Sequence, residues 1–175
     1  MAEIKIKYYT AVELTYTSLG ALAASSTWVA GAESTAVDNS SNLYDDYLLA
    51  GNFKTGAANA KIGRLEIWVF AQLEDTLWPD VLDGTDSAET FSSVDAKNSG
   101  GKVAGVVNAS VATNDAVYPF GPVSVAQLFG GVCPRKFVVF VTHDIQTSTN
   151  ALAAAAAGPP QVNKMFVTPI TYTSV

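Results

Sequence analysis

The sequence predicts an all-β fold, an antiparallel sandwich of about eight strands. Three observations carry that expectation. Segments dense in aromatic and branched residues alternate with the two-residue period of a strand. Glycine and Asn/Asp-rich turns separate them. Helical periodicity is nearly absent outside one alanine run, 151–157.

The elements follow in order. In Ile4–Tyr16, residues Ile4, Ile6, Tyr8, Val12, Leu14 and Tyr16 all fall on one face, and residues 1–17 form an N-terminal strand or arm. Strands are also expected in Thr27–Val37 and Tyr47–Lys54. Lys61–Leu73 is the clearest. Leu65, Ile67, Val69, Ala71 and Leu73 share one face and Trp68 and Phe70 the other, so both faces are covered at its centre. Thr90–Val94, Lys102–Ala112, Phe137–Thr142 and Lys164–Tyr172 complete the set. Two stretches read as short helical turns. Pro122–Phe129 ends at Gly130-Gly131, and Ala151–Ala157 is stopped at once by Gly158-Pro159-Pro160 inside a long Ala-rich loop, 147–160. Strand-only chains with long structured connections favour a Greek-key or jelly-roll path.

At 175 residues the chain is read as one domain, 1–175, large enough to bury a core without staples. Hydrophobic residues make up 49% and charged residues 15%, against roughly 25% charged in an ordinary soluble domain. That deficit predicts surface buried in an assembly, against the plainer alternative of a compact β domain with a Ser/Thr/Asn/Ala surface. A net charge of −6 and a pI of 4.6 disfavour nucleic-acid partners, which require clustered Lys and Arg. No apolar run reaches the ~20 residues of a membrane helix, and the N-terminus lacks the apolar core of a signal peptide. The expectation is a protein made in a cytoplasm, with no membrane partner. One cysteine, Cys133, rules out an intrachain disulfide and reads as a small buried hydrophobe.

Reactive constellations are scarce. Asp80, Asp83, Asp86 and Glu89 recur at every third residue, but the alternate-residue spacing of a calcium loop is missing. Turn and cap roles fit them better. Asp45 and Asp46 are adjacent on an extended chain, so they point to opposite faces and make no glycosidase pair. His143 is the only histidine, closes a buried strand and has no nucleophile elbow to serve. No catalytic, cofactor or metal residue is therefore assigned. Flat amphipathic rings suit sugars and partners alike, and Tyr8, Tyr9, Trp28, Tyr44, Tyr47, Trp78 and Tyr118 are the candidates. The predicted contact surface is Trp78, Tyr118, Phe120 and the segment Ala151, Leu152, Ala153 and Ala154.

Three motifs stand out as a set: a central strand, Leu65–Ala71, followed by Trp78–Asp86; then Tyr118–Ala126; then Phe129–Phe137. With these motifs the chain resembles a group of tailed-bacteriophage virion proteins, over roughly residues 43–146 and more loosely in the last strand. The resemblance implies a viral jelly roll, a non-enzymatic head decoration (cement) protein on the capsid surface. Its partners would then be the major capsid protein and its own copies, as a dimer or trimer. A tail- or fibre-associated receptor- or glycan-binding module is the alternative, since fold alone does not give function.

Overall fold

A computed structural model describes residues 3–56, 63–109, 114–145, 152–154 and 161–174. Its strands build two antiparallel sheets. The first contains β1 (Ile4–Tyr8), β2 (Val12–Glu13), β5 (Asp46–Lys54), β9 (Val117–Ser124) and β11 (Lys164–Ser174). Its order is β1-β11-β5-β9, with β2 also on β11. The second contains β3 (Ala30–Glu33), β4 (Val37–Asp38), β6 (Gly63–Ala71), β7 (Ser87–Thr90), β8 (Lys102–Ala109) and β10 (Lys136–His143). Its order is β7-β3-β10-β6-β8, with β4 also on β10. The all-β sandwich expected from the sequence is what the chain forms.

The alternation in β6 sorts its side chains into two cores. Leu65, Ile67 and Val69 face the first sheet and pack with Leu49, Phe53 and Met165. Trp68 and Phe70 face the other way and pack with Leu82, Phe91, Val138 and Phe140. Stacked and edge-on rings tie that second core together, with Phe70–Phe91 at 5.1 Å and Phe91–Phe140 at 5.0 Å. Its cover is the excursion between β6 and β8, which carries β7 and the helix α1 (Val94–Gly100).

A buried ion pair pins α1 to the sheet. The lysine Nζ of Lys97, a residue only 1% exposed, lies 2.9 Å from Glu66 Oε2. That oxygen also accepts from Trp68 Nε1 at 3.0 Å, and Lys97 Nζ sits 4.3 Å from the Trp68 ring centroid. Arg64 reaches Glu66 Oε1 at 2.8 Å from the solvent side. Burial pushes the Glu66 carboxyl up, but the Lys97 and Trp68 hydrogen bonds and the Lys97 and Arg64 charges outweigh it and hold it below its usual value.

Several expectations need correction. Ile4–Tyr16 is not a strand with one apolar face. Tyr8 pairs with Ile170, yet Val12 pairs with Val167, one residue out of step. Because side chains alternate, that slip exchanges the faces. Leu14 turns into the core while Ile4, Ile6 and Tyr8 stay outside. The expected strand at Thr90–Val94 stops at Thr90, and Val94 opens α1, where the Ser93 side chain caps the Ala96 N–H. Leu73, expected on the core face of β6, lies beyond the strand in an exposed turn. The helix expected at Pro122–Phe129 is shorter: β9 runs to Ser124 and α2 covers only Val125–Leu128. β9 itself escaped the sequence reading because Pro119, Gly121 and Pro122 punctuate it. At a sheet edge such residues are tolerated.

Asp46, at the entry to β5, is buried and accepts from Ser124 Oγ at 2.5 Å and the Ala126 N–H at 2.6 Å. It thereby anchors α2. Asp46→Ala is expected to cost about 1–3 kcal/mol, measured as a lower urea midpoint with unchanged slope; an unchanged midpoint would count against the anchor.

Candidate interaction surface

The strand directions gather three loops at one end of the sandwich. The Asn39 N–H donates to the Arg135 carbonyl at 2.8 Å, and the Gln72 N–H to the Lys136 carbonyl at 3.0 Å. Loops 39–45, 72–78 and 130–135 are therefore neighbours. An Arg135–Asp75 ion pair links two of them. They carry Leu43, Leu73, Leu77 and Val132, all exposed large apolar side chains. The same end receives a two-stranded ribbon, in which β1 pairs with the last residues of β11. The Asp45 N–H donates to the Ile170 carbonyl at 3.0 Å and Asp45 Oδ2 accepts from the Tyr172 N–H at 2.6 Å, which ties the ribbon to loop 39–45.

On β11, Met165 and Val167 point into the core, so Ile170 and Tyr172 belong to the outer face, where Ile170 is covered and Tyr172 is exposed. Their partners Tyr8 and Ile6, and then Ile4, share it. Ile4 is 73%, Ile6 49%, Tyr8 60% and Tyr172 52% exposed. The outer face of the second sheet has its cover; this part of the first sheet is open. Exposed apolar side chains concentrated at one end mark an interaction surface.

Beside the ribbon, between the β2 and β4 edges, runs an open groove of about 510 Å³. Tyr9, Tyr44 and Tyr47 line it as a chain of rings, with centroids 4.7 Å and 5.6 Å apart. Glu13 and Asp38 bring carboxylates to its rim. The Ser40 hydroxyl and N–H together with Lys136 hold the Asp38 carboxyl down at about 2.

The predicted contacts separate. Trp78 is half-buried and lines a hollow of about 540 Å³ at the apolar end, among Gln72, Asp80, Asp83 and Lys136. Its ring rests on Gly84, whose φ of +83° and lack of a Cβ permit the contact: an added Cβ would lie 2.9 Å from the ring. Phe120 is not a contact residue. It is 9% exposed and packs inward against Gly105, where an added Cβ would meet its ring at 2.6 Å. Tyr118 is half-buried against the same core. Leu152 is likewise core, at 3% exposure. The Ala153 carbonyl accepts from the Ala21 N–H at 3.3 Å, Ala154 is exposed, and Ala151 lies outside the described residues, as does most of the alanine run. Sequence reasoning missed Leu43, Leu73, Leu77 and Val132. Single apolar residues in polar loops carry no periodic signal; only the fold makes them neighbours.

The reactive candidates are occupied locally. Asp80 accepts from the Ser92 N–H at 2.8 Å, Asp83 from the Thr85 N–H at 2.8 Å, Asp86 from the Thr17 N–H at 2.7 Å and Glu89 from the Ser87 hydroxyl at 2.7 Å. The carboxylates serve different backbone segments instead of converging. Among the described residues no group of three His, Cys, Asp or Glu side chains could hold a metal ion. His143 is fully buried, with Nε2 2.8 Å from the Leu22 carbonyl. Burial, with Asp46 and Asp45 nearby, pushes the Cys133 thiol up to about 12, which leaves no thiolate at neutral pH. No helix among the described residues is long and apolar enough to cross a membrane. No family model matches the chain, and no curated protein or solved structure matches it either.

Proposed function

We propose that this chain is a non-enzymatic structural protein of a phage virion, a decoration protein that binds the assembled head through the apolar end of its sandwich. The concentration of Leu43, Leu73, Leu77 and Val132 beside the open ribbon face carries this reading. The strand order adds support. Taking β1/β2 and β3/β4 as two interrupted strands, the sheets read β1/β2-β11-β5-β9 and β3/β4-β10-β6-β8, and successive strands cross between sheets except from β6 to β8. That path supports a jelly-roll reading, with β7 and α1 taken as an insertion. The motif resemblance at 65–86 and 118–137 points the same way.

Binding that favours the assembled shell would stabilise it by mass action. Heads lacking the protein are expected to release DNA at a lower temperature than complete heads. Adding back a Leu77→Ser/Val132→Ser variant should restore less of the difference than adding back wild type, although both residues are exposed and the free variant should melt like wild type. Equal release temperatures, with the protein found only at the tail, would overturn the decoration role.

The groove of Tyr9, Tyr44 and Tyr47 favours a second reading, a glycan- or receptor-binding module on a tail or fibre. A handful of copies per particle and glycan binding abolished by Tyr44→Ala would select it; hundreds of copies would select decoration.

A further inference from the structure

Strand β1 is the last strand of its sheet: it pairs with β11 on one side, and no described strand pairs with its other side. The Tyr9 N–H donates to the Pro169 carbonyl at 3.0 Å, so the odd-numbered backbone groups aim at β11. By alternation, Ile4, Ile6 and Tyr8 direct their N–H and C=O groups to the open edge. All five residues of β1 are exposed. Such an edge is a template for another strand, and neither proline nor bulge blunts it within Ile4–Tyr8.

The charges on this edge are self-complementary. Glu3, Lys5 and Lys7 share one face of the ribbon and Ile4, Ile6 and Tyr8 the other. We propose that β1 pairs with β1 of a second copy of this chain, antiparallel about a two-fold axis at Lys5, with Ile4 opposite Ile6 and Glu3 opposite Lys7 of the partner. This register satisfies the outward N–H and C=O groups of Ile4 and Ile6. It also places two unlike charge pairs against one like pair, Lys5 with Lys5. A register shifted by one pair, centred on Ile6, would put Lys5 opposite Lys7 twice, which like-charge repulsion disfavours. The contact is isologous, so it closes as a dimer and does not propagate. Joined sheets would make one continuous outer face, with the Ile4, Ile6, Tyr8 and Tyr172 stripes of both copies side by side. A five-residue strand pair buries less than the ~1,200 Å² of a stable interface, so the free protein should pair weakly. Pairing strengthens where copies are concentrated on a common surface. The inference rests on the edge and its charges, not on the virion reading.

Crosslinking captures so weak a pair. In a Cys133→Ser background, Lys5→Cys places two thiols opposite each other at a non-hydrogen-bonded pair, where Cα atoms lie about 4.5 Å apart and a disulfide can close. Lys7→Cys places its thiols at opposite ends of the ribbon. Mild oxidation is expected to give covalent dimer from Lys5→Cys and little from Lys7→Cys. Adding Lys7→Glu to Lys5→Cys should slow crosslinking about tenfold, because two unlike pairs become like pairs; adding Glu3→Lys as well should restore it. The substituted ribbon side chains are exposed, so folding is not at stake. Absence of dimer from Lys5→Cys, equal dimer from Lys7→Cys, or failure of the double charge exchange to restore the rate would each overturn the pairing.

Discussion

Lys97→Met lowers the unfolding free energy by about 3 kcal/mol, although methionine keeps nearly the whole apolar stem of the lysine and gives up only its terminal ammonium. The loss comes from what remains. Glu66 is buried at the foot of α1, with the Lys97 ammonium at 2.9 Å as its inner partner. Removing one member of a buried pair strands the other charge, which typically costs ~3–5 kcal/mol. Arg64 at 2.8 Å continues to compensate from the half-exposed side, which sets the expectation at the lower end. Replacing both members behaves differently. In Glu66→Gln/Lys97→Met the amide oxygen still accepts from Trp68 Nε1, no charge is stranded, and most of the stability returns. Urea unfolding of the two single variants and the double variant measures the coupling. A loss below about 1 kcal/mol in Lys97→Met, or a double variant no better than the single, would show that the pair does not hold α1 down. Hydrogen exchange gives the local counterpart: protection over 79–101 should fall before that of β6 and β10.

Glu33→Gln raises the melting temperature at pH 8, and the gain disappears by about pH 4.5. Glu33 is fully buried on β3. Oε1 accepts from the Gly84 N–H at 2.8 Å, while Oε2 is buried without a hydrogen-bond partner. Burial pushes its carboxyl up from 4.5 to about 7; the Gly84 and Asp83 N–H groups oppose that, and the Asp83 and Glu89 carboxylates reinforce it. Tyr16 is half-buried nearby, and its hydroxyl, which donates to the Val139 carbonyl at 2.9 Å, is pushed well above the usual range by burial and by the Asp86 and Glu33 charges. Because the folded value is the higher one, the folded protein holds the Glu33 proton after the unfolded chain has lost it. Below pH 4.5 both states are protonated and no penalty exists. Between 4.5 and about 7 the unfolded state alone is ionised and stability falls; above that the penalty is complete. The separation corresponds to about 3 kcal/mol, or roughly 5–10 °C for a domain of this size. Glutamine keeps the acceptor for Gly84 and removes the ionisation. A difference between variant and wild type that does not change between pH 4.5 and pH 8 would refute the assignment. Since Gly84 supports the Trp78 ring, the alkaline form should also loosen the hollow beside the apolar end.

The parts of this protein written in its sequence are those that repeat. Alternation in 65–70 announces a strand covered on both faces, and the two cores that meet there bear it out. Turn chemistry at 38–42 marks a real chain reversal, and the local bonds of Asp83 to Thr85 and Asp38 to Ser40 are the Asx turns their spacing predicts; the turn expected at 98–101 is instead the end of α1, capped by Gly101. With one histidine and one cysteine, the chain also carries no motif that needs several of either. Three things were decided only in three dimensions. A one-residue slip between Tyr8 and Val12 turned an apparently core-facing N-terminal strand outward, since a strand's face depends on its partner's register. Phe120 and Leu152, which look free in loop-like sequence, were drawn inside because Gly105 and the sheet interior left room for them. Leu43, Leu73, Leu77 and Val132 lie as far as 89 positions apart and became one surface because antiparallel strands return their loops to the same end of the sandwich. Periodicity is a local property, and the chain carries it openly; adjacency across a sandwich is set by strand order and register, which no single stretch of sequence contains.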